Sequence, residues 1–307
     1  MSTKQYQIPI LVTGAAGRIG SVGRLVAELL LARGFRVRAL VRVEDERASR
    51  LRGLGAEVVA GDLLDLMEVH RALEGCERVF FAMSVAPTYL EAAANVAVVA
   101  KHHAVKAFVN LSQMTVKEMD IFNTTSSPQQ KQHWLAEQIL SWSGLPVVEV
   151  RPTVFMEGLF LQSAKGISRQ NRIFAPFGRG RNSAIAAVDV ARTIAEILSE
   201  PAKHIGCAYH LTGPVSQDMD AVAREFSAAL GRTITYIDIP FDNWTEQLAA
   251  FGMSPFVASH VATIAKLHGE NRYDRYSDDV EVLTGRPPIG IREFVLQHAS
   301  EFSPSPT

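Results

Sequence analysis

Residues 8–20, IPILVTGAAGRIG, decide the fold of this chain. Residues 7–12 form a short, largely apolar run, which predicts a strand buried on both faces. A glycine-rich turn follows this run directly. Apolar residues then recur at helical spacing from Val22 to Leu30, and Gly34 stands where a glycine commonly ends a helix. The pattern therefore predicts a strand, a tight turn and a helix in immediate succession.

The turn carries three evenly spaced glycines, Gly14, Gly17 and Gly20. In a dinucleotide-binding turn, one glycine makes the tight bend, one admits the pyrophosphate to the backbone, and one lets the helix pack close to its strand. The free N–H groups and the positive dipole end of the helix then attract the phosphates. Small residues at this spacing also serve ordinary turns, but the flanking strand and helix favour cofactor binding. The predicted cofactor-binding residues of the turn are Gly14, Ala16, Gly17, Arg18, Ile19 and Gly20.

Composition and charge exclude several classes of protein. The chain has 307 residues, of which 47% are hydrophobic, and its formal net charge is -1. Such a chain buries a substantial core but presents no basic field that would attract nucleic acid. Cys76 and Cys207 lie far apart, which fits a reducing compartment rather than a disulfide scaffold. No stretch reads as a signal sequence or a membrane span, so we expect a cytoplasmic protein with neither a nucleic-acid nor a membrane partner.

The end of the second predicted strand bears on the choice of cofactor. Residues 35–41 read as this strand, and Arg42 follows it. An NAD-selective site places an Asp or Glu here to hold the ribose 2′-OH, whereas an arginine suits a 2′-phosphate. Arg18 in the glycine turn is a second cation for the same group, since a guanidinium grips phosphate at two points. We therefore expect NADP(H) as the cofactor; the alternative is that both arginines are ordinary solvated surface residues.

Strands and helices alternate through the first half of the chain. Further strands are predicted at residues 56–60, 78–82, 107–111 and 147–150. Such βα units dictate a parallel sheet with right-handed crossovers and helices on both faces. The predicted fold class is α/β, a doubly wound parallel Rossmann sheet with a smaller C-terminal α/β substrate lobe. We expect an NADP-binding domain over residues 1–155 and, built onto it, a substrate-binding lobe over residues 156–307, some segments of which return to the sheet.

Two further segments are predicted to lie at the crevice edge of this sheet. Asp62 follows the third strand, where a carboxylate can accept a hydrogen bond from the adenine amino group while Leu63 covers the ring. Alternatively, Asp62 caps the helix predicted over residues 66–73. Ala82, Met83 and Ser84 follow the fourth strand, where the strand order should reverse and open α/β sheets bind their cofactors. All five residues are therefore predicted to contact the cofactor.

Two adjacent histidines, His102 and His103, end the helix predicted over residues 90–103. A favourable interaction with the negative end of the helix dipole explains their position. Because no third ligand is in view, we expect no metal site.

The stretch between Ser112 and Arg151 resembles the short-chain dehydrogenase/reductase superfamily. It keeps much of the frame of the extended branch: HWLAE at 133–137, GLP at 144–146, and Arg-Pro at 151–152. Active members usually carry a Tyr-x-x-x-Lys motif here, but Gln129 stands where the tyrosine would be and His133 where the lysine would be. None of the six tyrosines in the chain begins such a motif. The usual proton-donating pair is absent.

This departure is typical of the NmrA-like atypical branch of the superfamily, which the chain resembles over nearly its whole length. That branch has a T-G-A-x-G-R-x-G turn, an arginine after the second strand, and a segment Arg-Pro-x-x-Phe-Met-Glu, which residues 151–157 match as RPTVFME. The resemblance implies NADP(H) binding with Phe155 in the cofactor site. Known members include NADPH-dependent quinone oxidoreductases, triphenylmethane reductases, benzylic ether reductases, and NADP-sensing regulators with little or no catalysis.

His133 is the candidate catalytic residue, and quinone reductases of the branch carry a His-x-x-x-Glu like His133 to Glu137. An imidazole with an ordinary pKa of about 6.5 can deliver a proton to a substrate atom that gains charge as hydride arrives. It can instead hydrogen-bond the cofactor ribose, or be a satisfied, partly buried side chain. Glu137, one helical turn later, is expected to be a structural partner of the histidine or of backbone groups.

Two functions remain open from the sequence. The first, which His133 and Glu137 favour, is an NADPH-dependent oxidoreductase that transfers hydride to a quinone or similar conjugated aromatic acceptor. Such an acceptor needs no strong acid, which fits the missing tyrosine and lysine. The alternative is an NADP(H)-sensing regulatory protein of the NmrA type. The expected partner is a small hydrophobic or aromatic substrate, and a homodimer is the default expectation for the oligomeric state.

Overall fold

The computed structural model describes residues 7–17, 21–250 and 252–303. Three of the predicted cofactor-binding residues, Arg18, Ile19 and Gly20, lie outside these ranges.

Eleven strands in the described part of the chain form one large sheet and two small ones. In chain order they are β1 (Ile10–Val12), β2 (Val37–Val41), β3 (Glu57–Ala60), β4 (Arg78–Phe81), β5 (Ala107–Leu111), β6 (Val147–Pro152), β7 (Arg172–Ala175), β8 (Arg181–Asn182), β9 (Ala208–Leu211), β10 (Gln217–Asp218) and β11 (Thr235–Asp238). The large sheet has the order β3-β2-β1-β4-β5-β6-β9, and all of its pairs are parallel. The predicted doubly wound parallel α/β fold is confirmed.

Helices connect most of these strands. The α-helices of the described residues are α1 (Val22–Ala32), α2 (Glu46–Gly53), α3 (Leu66–Leu73), α4 (Tyr89–His102), α5 (Pro128–Trp142), α6 (Met156–Phe160), α7 (Ala164–Gln170), α8 (Ala187–Ser199), α9 (Met219–Leu230), α10 (Phe241–Ala250), α11 (Pro255–Gly269), α12 (Asp279–Thr284), α13 (Ile291–Gln297) and α14 (Ala299–Phe302). Among them, none has both the length and the apolar character that crossing a membrane requires.

Two apolar cores cover the two faces of the large sheet. Helices α1, α2 and α8 pack on one face, and α3, α4 and α5 pack on the other. Strand β1 contributes to both, because Ile10 and Val12 belong to the first core and Leu11 to the second. A strand buried on both faces needs apolar residues at every position, which is why the run before the glycine turn does not alternate.

A third core lies in the second half of the chain. It is built by α6, α7, α9, α13 and α14 and includes the buried rings of Phe160, Phe226 and Phe302. This half of the chain also contributes to the large sheet, since β9 pairs with β6 and α8 packs beside α1. The second half of the chain therefore completes the large sheet in addition to forming a core of its own.

The strand order of the large sheet reverses between β1 and β4. Thr13, at the end of β1, joins the two strands there: its Oγ1 donates to the Ala82 carbonyl oxygen and accepts from the Ala82 N–H, each at 2.8 Å. Open α/β sheets bind ligands in the crevice that such a reversal creates at the carboxyl ends of the strands. The predicted site lies at this edge.

Candidate cofactor and active site

The glycine turn after β1 is packed so closely against the backbone that it leaves little room for side chains. Gly14 has a φ of +68°, and a Cβ at this position would lie 2.8 Å from the carbonyl oxygen of Ala82. The Gly17 N–H donates to the Gly14 carbonyl oxygen at 3.1 Å, which closes the turn. The tight bend assigned to these glycines therefore depends on their lacking side chains.

A glycine that the sequence analysis did not select, Gly23, holds the helix against this turn. A Cβ on Gly23 would lie 2.7 Å from both the carbonyl carbon and the carbonyl oxygen of Gly14, so α1 can pack this closely only with glycine here. Ser21 adds a hydrogen bond from its Oγ to the Gly17 carbonyl oxygen at 2.9 Å. The sequence did offer a sign of this contact. Glycine is unfavourable inside a helix, so a glycine in the first turn of α1 indicates that another part of the chain packs closely there.

Two arginines after β2 bear on the choice of cofactor. Arg42 comes directly after β2, as the sequence analysis expected, and its side chain is exposed. Arg47, in the first turn of α2, was not predicted: its Nη1 donates to the Ala16 carbonyl oxygen at 2.5 Å, and its Nε donates to Asp45 Oδ2 at 2.9 Å. Asp45 is also the N-cap of α2, so the helix start fixes this guanidinium beside the turn.

Asp62 does not cap the following helix, so that alternative is wrong. The cap of α3 is Asp65, whose carboxylate accepts from the N–H groups of Met67 and Glu68. Asp62 instead accepts a hydrogen bond from the Leu64 N–H at 3.0 Å, an Asx-turn that orders the loop. Leu63 accepts one from Asn95 Nδ2 at 3.1 Å through its carbonyl oxygen. The contact of Asp62 and Leu63 with adenine stays a prediction.

The loop after β4, which carries half-buried Met83 and exposed Ser84, is tied to α5. The Ala86 N–H donates to Gln129 Oε1 at 3.2 Å, and Gln132 Nε2 donates to the Pro87 carbonyl oxygen at 2.8 Å. Gln129 is the residue that replaces the expected tyrosine, and it is 1% exposed. The side-chain amide of Gln129 therefore helps to fix the conformation of the loop after β4.

The imidazole of His133 lies beside Gln129 and against the ring of Tyr89, with 4.2 Å between the ring centroids. Its Nε2 is 3.2 Å from Gln129 Nε2. Because the Gln129 oxygen accepts from Ala86, the NH2 group faces the imidazole, and Nε2 must be the acceptor. The ring proton is therefore on Nδ1, a buried atom without a hydrogen-bond partner among the described residues.

The protonation state of His133 bears on whether it acts as an acid or as a hydrogen-bond donor. Burial of the ring, and to a smaller degree the charge of His260, lowers the pKa of His133 to about 3. The imidazole is neutral near pH 7, so it can donate a hydrogen bond through Nδ1 but holds no extra proton to deliver. Among the interpretations of this residue, hydrogen bonding to cofactor or substrate is favoured over acid catalysis.

Glu137 is a structural residue, but it pairs with Arg151 rather than with His133 or with backbone groups, the two expected partners. Arg151 on β6 donates from Nε to Glu137 Oε1 at 3.0 Å and from Nη2 to Oε2 at 2.5 Å. Glu149, on the same strand, accepts from Asn110 Nδ2 at 2.7 Å. Burial, and then the charge of Glu137, raises the pKa of Glu149 to about 8. The Glu-Arg pair therefore links α5 to the sheet below the site.

Buried polar atoms without a protein partner concentrate between the end of β5 and the start of α5. In the described residues, seven of twelve such side-chain atoms lie in this one segment. Buried polar groups are costly unless something hydrogen-bonds them, so these atoms are candidates for hydrogen bonds to a polar ligand. The seven atoms are Ser112 Oγ, Gln113 Nε2, Thr115 Oγ1, Thr125 Oγ1, Gln130 Oε1, Gln132 Oε1 and His133 Nδ1.

Phe155 comes three residues after β6, on the same edge of the sheet. It is half-buried, forms a bridge with Ile185, and packs against the first core. Phe155, the glycine turn and the segment with the unpartnered polar atoms follow strands of one sheet at the same edge. Their chemistry fits a dinucleotide, with backbone N–H groups for phosphates in the turn and both donors and acceptors for a ribose and a nicotinamide in the segment after β5.

The expectation that His102 and His103 have no third neighbour of their kind is wrong. His70, in the last turn of α3, brings a third imidazole to them, and the ligand atoms of the three rings lie within 4.8 Å of one another. His70 lies far from His102 and His103 in the sequence, so residue spacing gave no sign that the three imidazoles meet.

Comparisons with known proteins show the family to which this chain belongs. The model of the NAD(P)H-binding family matches residues 14–201, and the chain belongs to that family. The NAD(P)H azoreductase of Xenophilus azovorans is 32% identical over 296 residues, which are 95% of this chain and 99% of that protein. The expected NmrA-like resemblance, the NAD(P)H cofactor and the class of NAD(P)H-dependent oxidoreductase are confirmed.

Solved structures share the fold. The NADPH-dependent quinone oxidoreductase QOR2 of Escherichia coli, solved with NADPH, superposes with a TM-score of 0.82 at 23% identity and covers 95% of this chain and 99% of that one. NmrA, a negative transcriptional regulator solved with NAD, superposes with a TM-score of 0.74 at 18% identity and covers 94% of each chain. One fold thus serves an enzyme and a regulator, so the fold alone does not choose between them.

Proposed function

We propose that this protein is an NADPH-dependent reductase that transfers hydride to a quinone or a similar conjugated aromatic acceptor. The proposal is carried by two buried donors without a protein partner, Ser112 Oγ and His133 Nδ1, in a chain whose first strand ends in a tight glycine turn of the kind that binds phosphates. Similarity over nearly the whole chain to a protein named as an NAD(P)H azoreductase supports an NAD(P)H-dependent reductase, and we extend this to conjugated acceptors.

The bound nicotinamide supplies the hydride, and the protein supplies position and hydrogen bonds. As an acceptor gains hydride, charge develops on its oxygen or nitrogen. Donors already fixed in a buried site stabilise such charge strongly, because they need not reorient. The Nδ1–H of His133 and the hydroxyl of Ser112 fill this role, and an electron-poor acceptor requires no stronger acid.

We assign the preference for NADPH to Arg42 and Arg47. Arg42 lies after β2, where the 2′-phosphate is expected, and Arg47 is held at the glycine turn by Asp45 and the Ala16 carbonyl. The two residues directly after β2, Arg42 and Val43, carry no carboxylate that could hold a ribose 2′-OH. We keep Arg18 in the proposed site on the strength of its place in the turn.

We propose that residues 1–155 bind the cofactor and that residues 156–307 bind the substrate. Helix α11 of the second half lies against the start of α5: Ser127 Oγ is 2.9 Å from His260 Nδ1, and Gln130 Nε2 donates to the Tyr273 hydroxyl at 3.4 Å. This brings the half-buried Phe256 and Val257 of α11 toward the segment with the unpartnered donors. We propose that these apolar residues wall the pocket for an aromatic ring.

The test is NADPH oxidation by the purified protein, followed by loss of absorbance of the reduced nicotinamide, against quinones, azo dyes, enones and cationic dyes. NADH runs in parallel. Gly14→Val, whose side chain would collide with Ala82, is the inactive control. Turnover that depends on an acceptor and prefers NADPH supports the proposal. Tight NADPH binding without turnover on any acceptor would replace it with the alternative, an NADP(H)-sensing regulator.

A further inference from the structure

Three histidines meet at the edge of the sheet opposite the crevice. His70 lies in the last turn of α3, and His102 and His103 end α4. The Nε2 of His103 is 3.0 Å from Nδ1 of His70, with 4.8 Å between the two ring centroids. The ring of His102 stands nearly perpendicular to that of His103 at a centroid distance of 5.1 Å. Three imidazoles from two helices thus face one small volume.

The surroundings of this cluster favour a cation. Helices α3 and α4 both end there, and the carboxyl end of a helix carries partial negative charge. Glu74, the residue after α3, adds a carboxylate that acts on His103.

The spacing is close to that of a metal site. Two nitrogens bound at about 2.0–2.1 Å to one tetrahedral Zn²⁺ ion lie about 3.3 Å apart, which the His70–His103 pair nearly matches. The third ligand atom is within 4.8 Å, and it belongs to an exposed side chain that is free to turn inward. Imidazole nitrogens suit Zn²⁺, Ni²⁺ and Cu²⁺ rather than Mg²⁺ or Ca²⁺.

We propose that His70, His102 and His103 form a binding site for a divalent transition-metal ion of the Zn²⁺ type. Three protein ligands leave one position of a tetrahedral ion for water. The site is separated from the crevice by the full length of β5, which begins at Ala107 just after the cluster. The ion therefore joins α3 to α4 and stabilises the fold, and it takes no part in the reduction.

The experiment is a Zn²⁺ titration of the full-length protein after chelator treatment, measured by calorimetry and by the melting temperature. The wild type is expected to bind one equivalent and to melt at a higher temperature with Zn²⁺ than without. His70→Gln and His103→Gln should each weaken binding by at least about tenfold. His204→Gln, which removes a half-buried histidine from another part of the surface, is the matched control and should bind like the wild type.

A second readout distinguishes this cluster from adventitious binding. Co²⁺ held by three histidines gives intense visible absorption bands, whereas octahedral Co²⁺ at scattered surface groups gives weak ones. Intense bands that disappear in His70→Gln support the site. The proposal is overturned if the wild type shows no saturable binding, or if His70→Gln and His204→Gln bind Zn²⁺ equally well.

Discussion

Gln129 and His133 are joined by a hydrogen bond of 3.2 Å, and this bond determines which nitrogen of the imidazole carries the proton. Gln129 can donate to His133 only because its oxygen is occupied by the Ala86 N–H. A residue in the place of the usual catalytic tyrosine thus orients the residue in the place of the usual lysine.

His133→Ala should lower kcat by about 100-fold while leaving NADPH affinity nearly unchanged, because a fixed donor to the acceptor is lost. Steady-state turnover and NADPH titration by fluorescence measure the two effects, with His204→Ala, at a histidine outside both the crevice and the three-histidine cluster, as the control. If NADPH affinity collapses together with turnover, His133 binds the cofactor ribose instead. Since its pKa is about 3, His133 should add no inflection to the pH profile of kcat between pH 5 and 8.

His268 makes the fold sensitive to acid. It is fully buried, accepts from Asn182 Nδ2 at 2.9 Å and stacks on Phe177, and burial lowers its pKa from 6.5 to about 4. Between these values the unfolded chain binds the proton and the folded chain does not. The free energy of unfolding should therefore fall as the pH falls from about 6.5 to about 4, by up to about 1.4 kcal/mol per pH unit for this group.

Urea unfolding at a series of pH values tests this slope. His268→Gln should show a shallower dependence than the wild type, whatever its stability at pH 7, and Arg50→Gln, an exposed substitution on α2, should keep the full slope. His133 and His260 have lowered pKa values too, so part of the slope remains in the variant. Equal slopes in all three proteins would rule out this account of His268.

Arg42→Glu should weaken NADPH binding by about 10-fold to 100-fold and NADH binding far less, because the new carboxylate repels a 2′-phosphate and accepts from a 2′-OH. Dissociation constants for both nucleotides measure the change. Arg50→Glu, an exposed charge reversal on α2, is the control for long-range electrostatics. If the affinities for NADPH and NADH fell equally, Arg42 would not determine which of the two cofactors the protein prefers.

Gly23→Ala should lower both stability and NADPH affinity. Its methyl group would lie 2.7 Å from the Gly14 carbonyl, so α1 must move away from the turn, at a cost of about 1–3 kcal/mol. Gly53→Ala, at the end of α2, meets no atom within 4 Å and is the matched control. A Gly23→Ala protein with unchanged melting temperature and NADPH affinity would show that the turn tolerates this shift.

The two glutamates near Arg151 should respond differently to the loss of charge. Glu137→Gln leaves Arg151 without its carboxylate in a buried setting and should destabilise the protein by about 3–5 kcal/mol. Glu149→Gln should cost much less, because a raised pKa of about 8 means that this carboxyl is largely protonated at pH 7. Chemical denaturation at pH 7 compares them, and similar losses would contradict the assignment.

The elements that form the site were predictable because each has a local signature. An apolar run, a glycine turn and a 3.6-residue period locate β1 and α1, and the predicted start of the strand was only a few residues early. Arg42 was predictable for the same reason, since its position depends only on where β2 ends.

Contacts between elements were not predictable in this way. Arg47 reaches Ala16 from the next helix, and His70 reaches His103 from another, so sequence spacing gives no sign of either pair. Glu137 illustrates the limit further: helical spacing suggested His133 as its partner, but Arg151, on a strand across the interface, is a guanidinium that binds both carboxylate oxygens. Side-chain pairings of this kind depend on how the helices pack on the sheet, which residue spacing along the chain does not reveal.

The place of β9 in the large sheet has a consequence for synthesis on the ribosome. When residue 155 has emerged, strands β1 to β6 are present, but the outer edge of β6 has unpaired N–H and C=O groups until residues 208–211 follow. An open edge of a sheet pairs readily with other chains. Fragments truncated near residue 155 should therefore aggregate, and the nascent chain passes through a stage of about fifty residues in which this edge depends on chaperones or rapid elongation for protection.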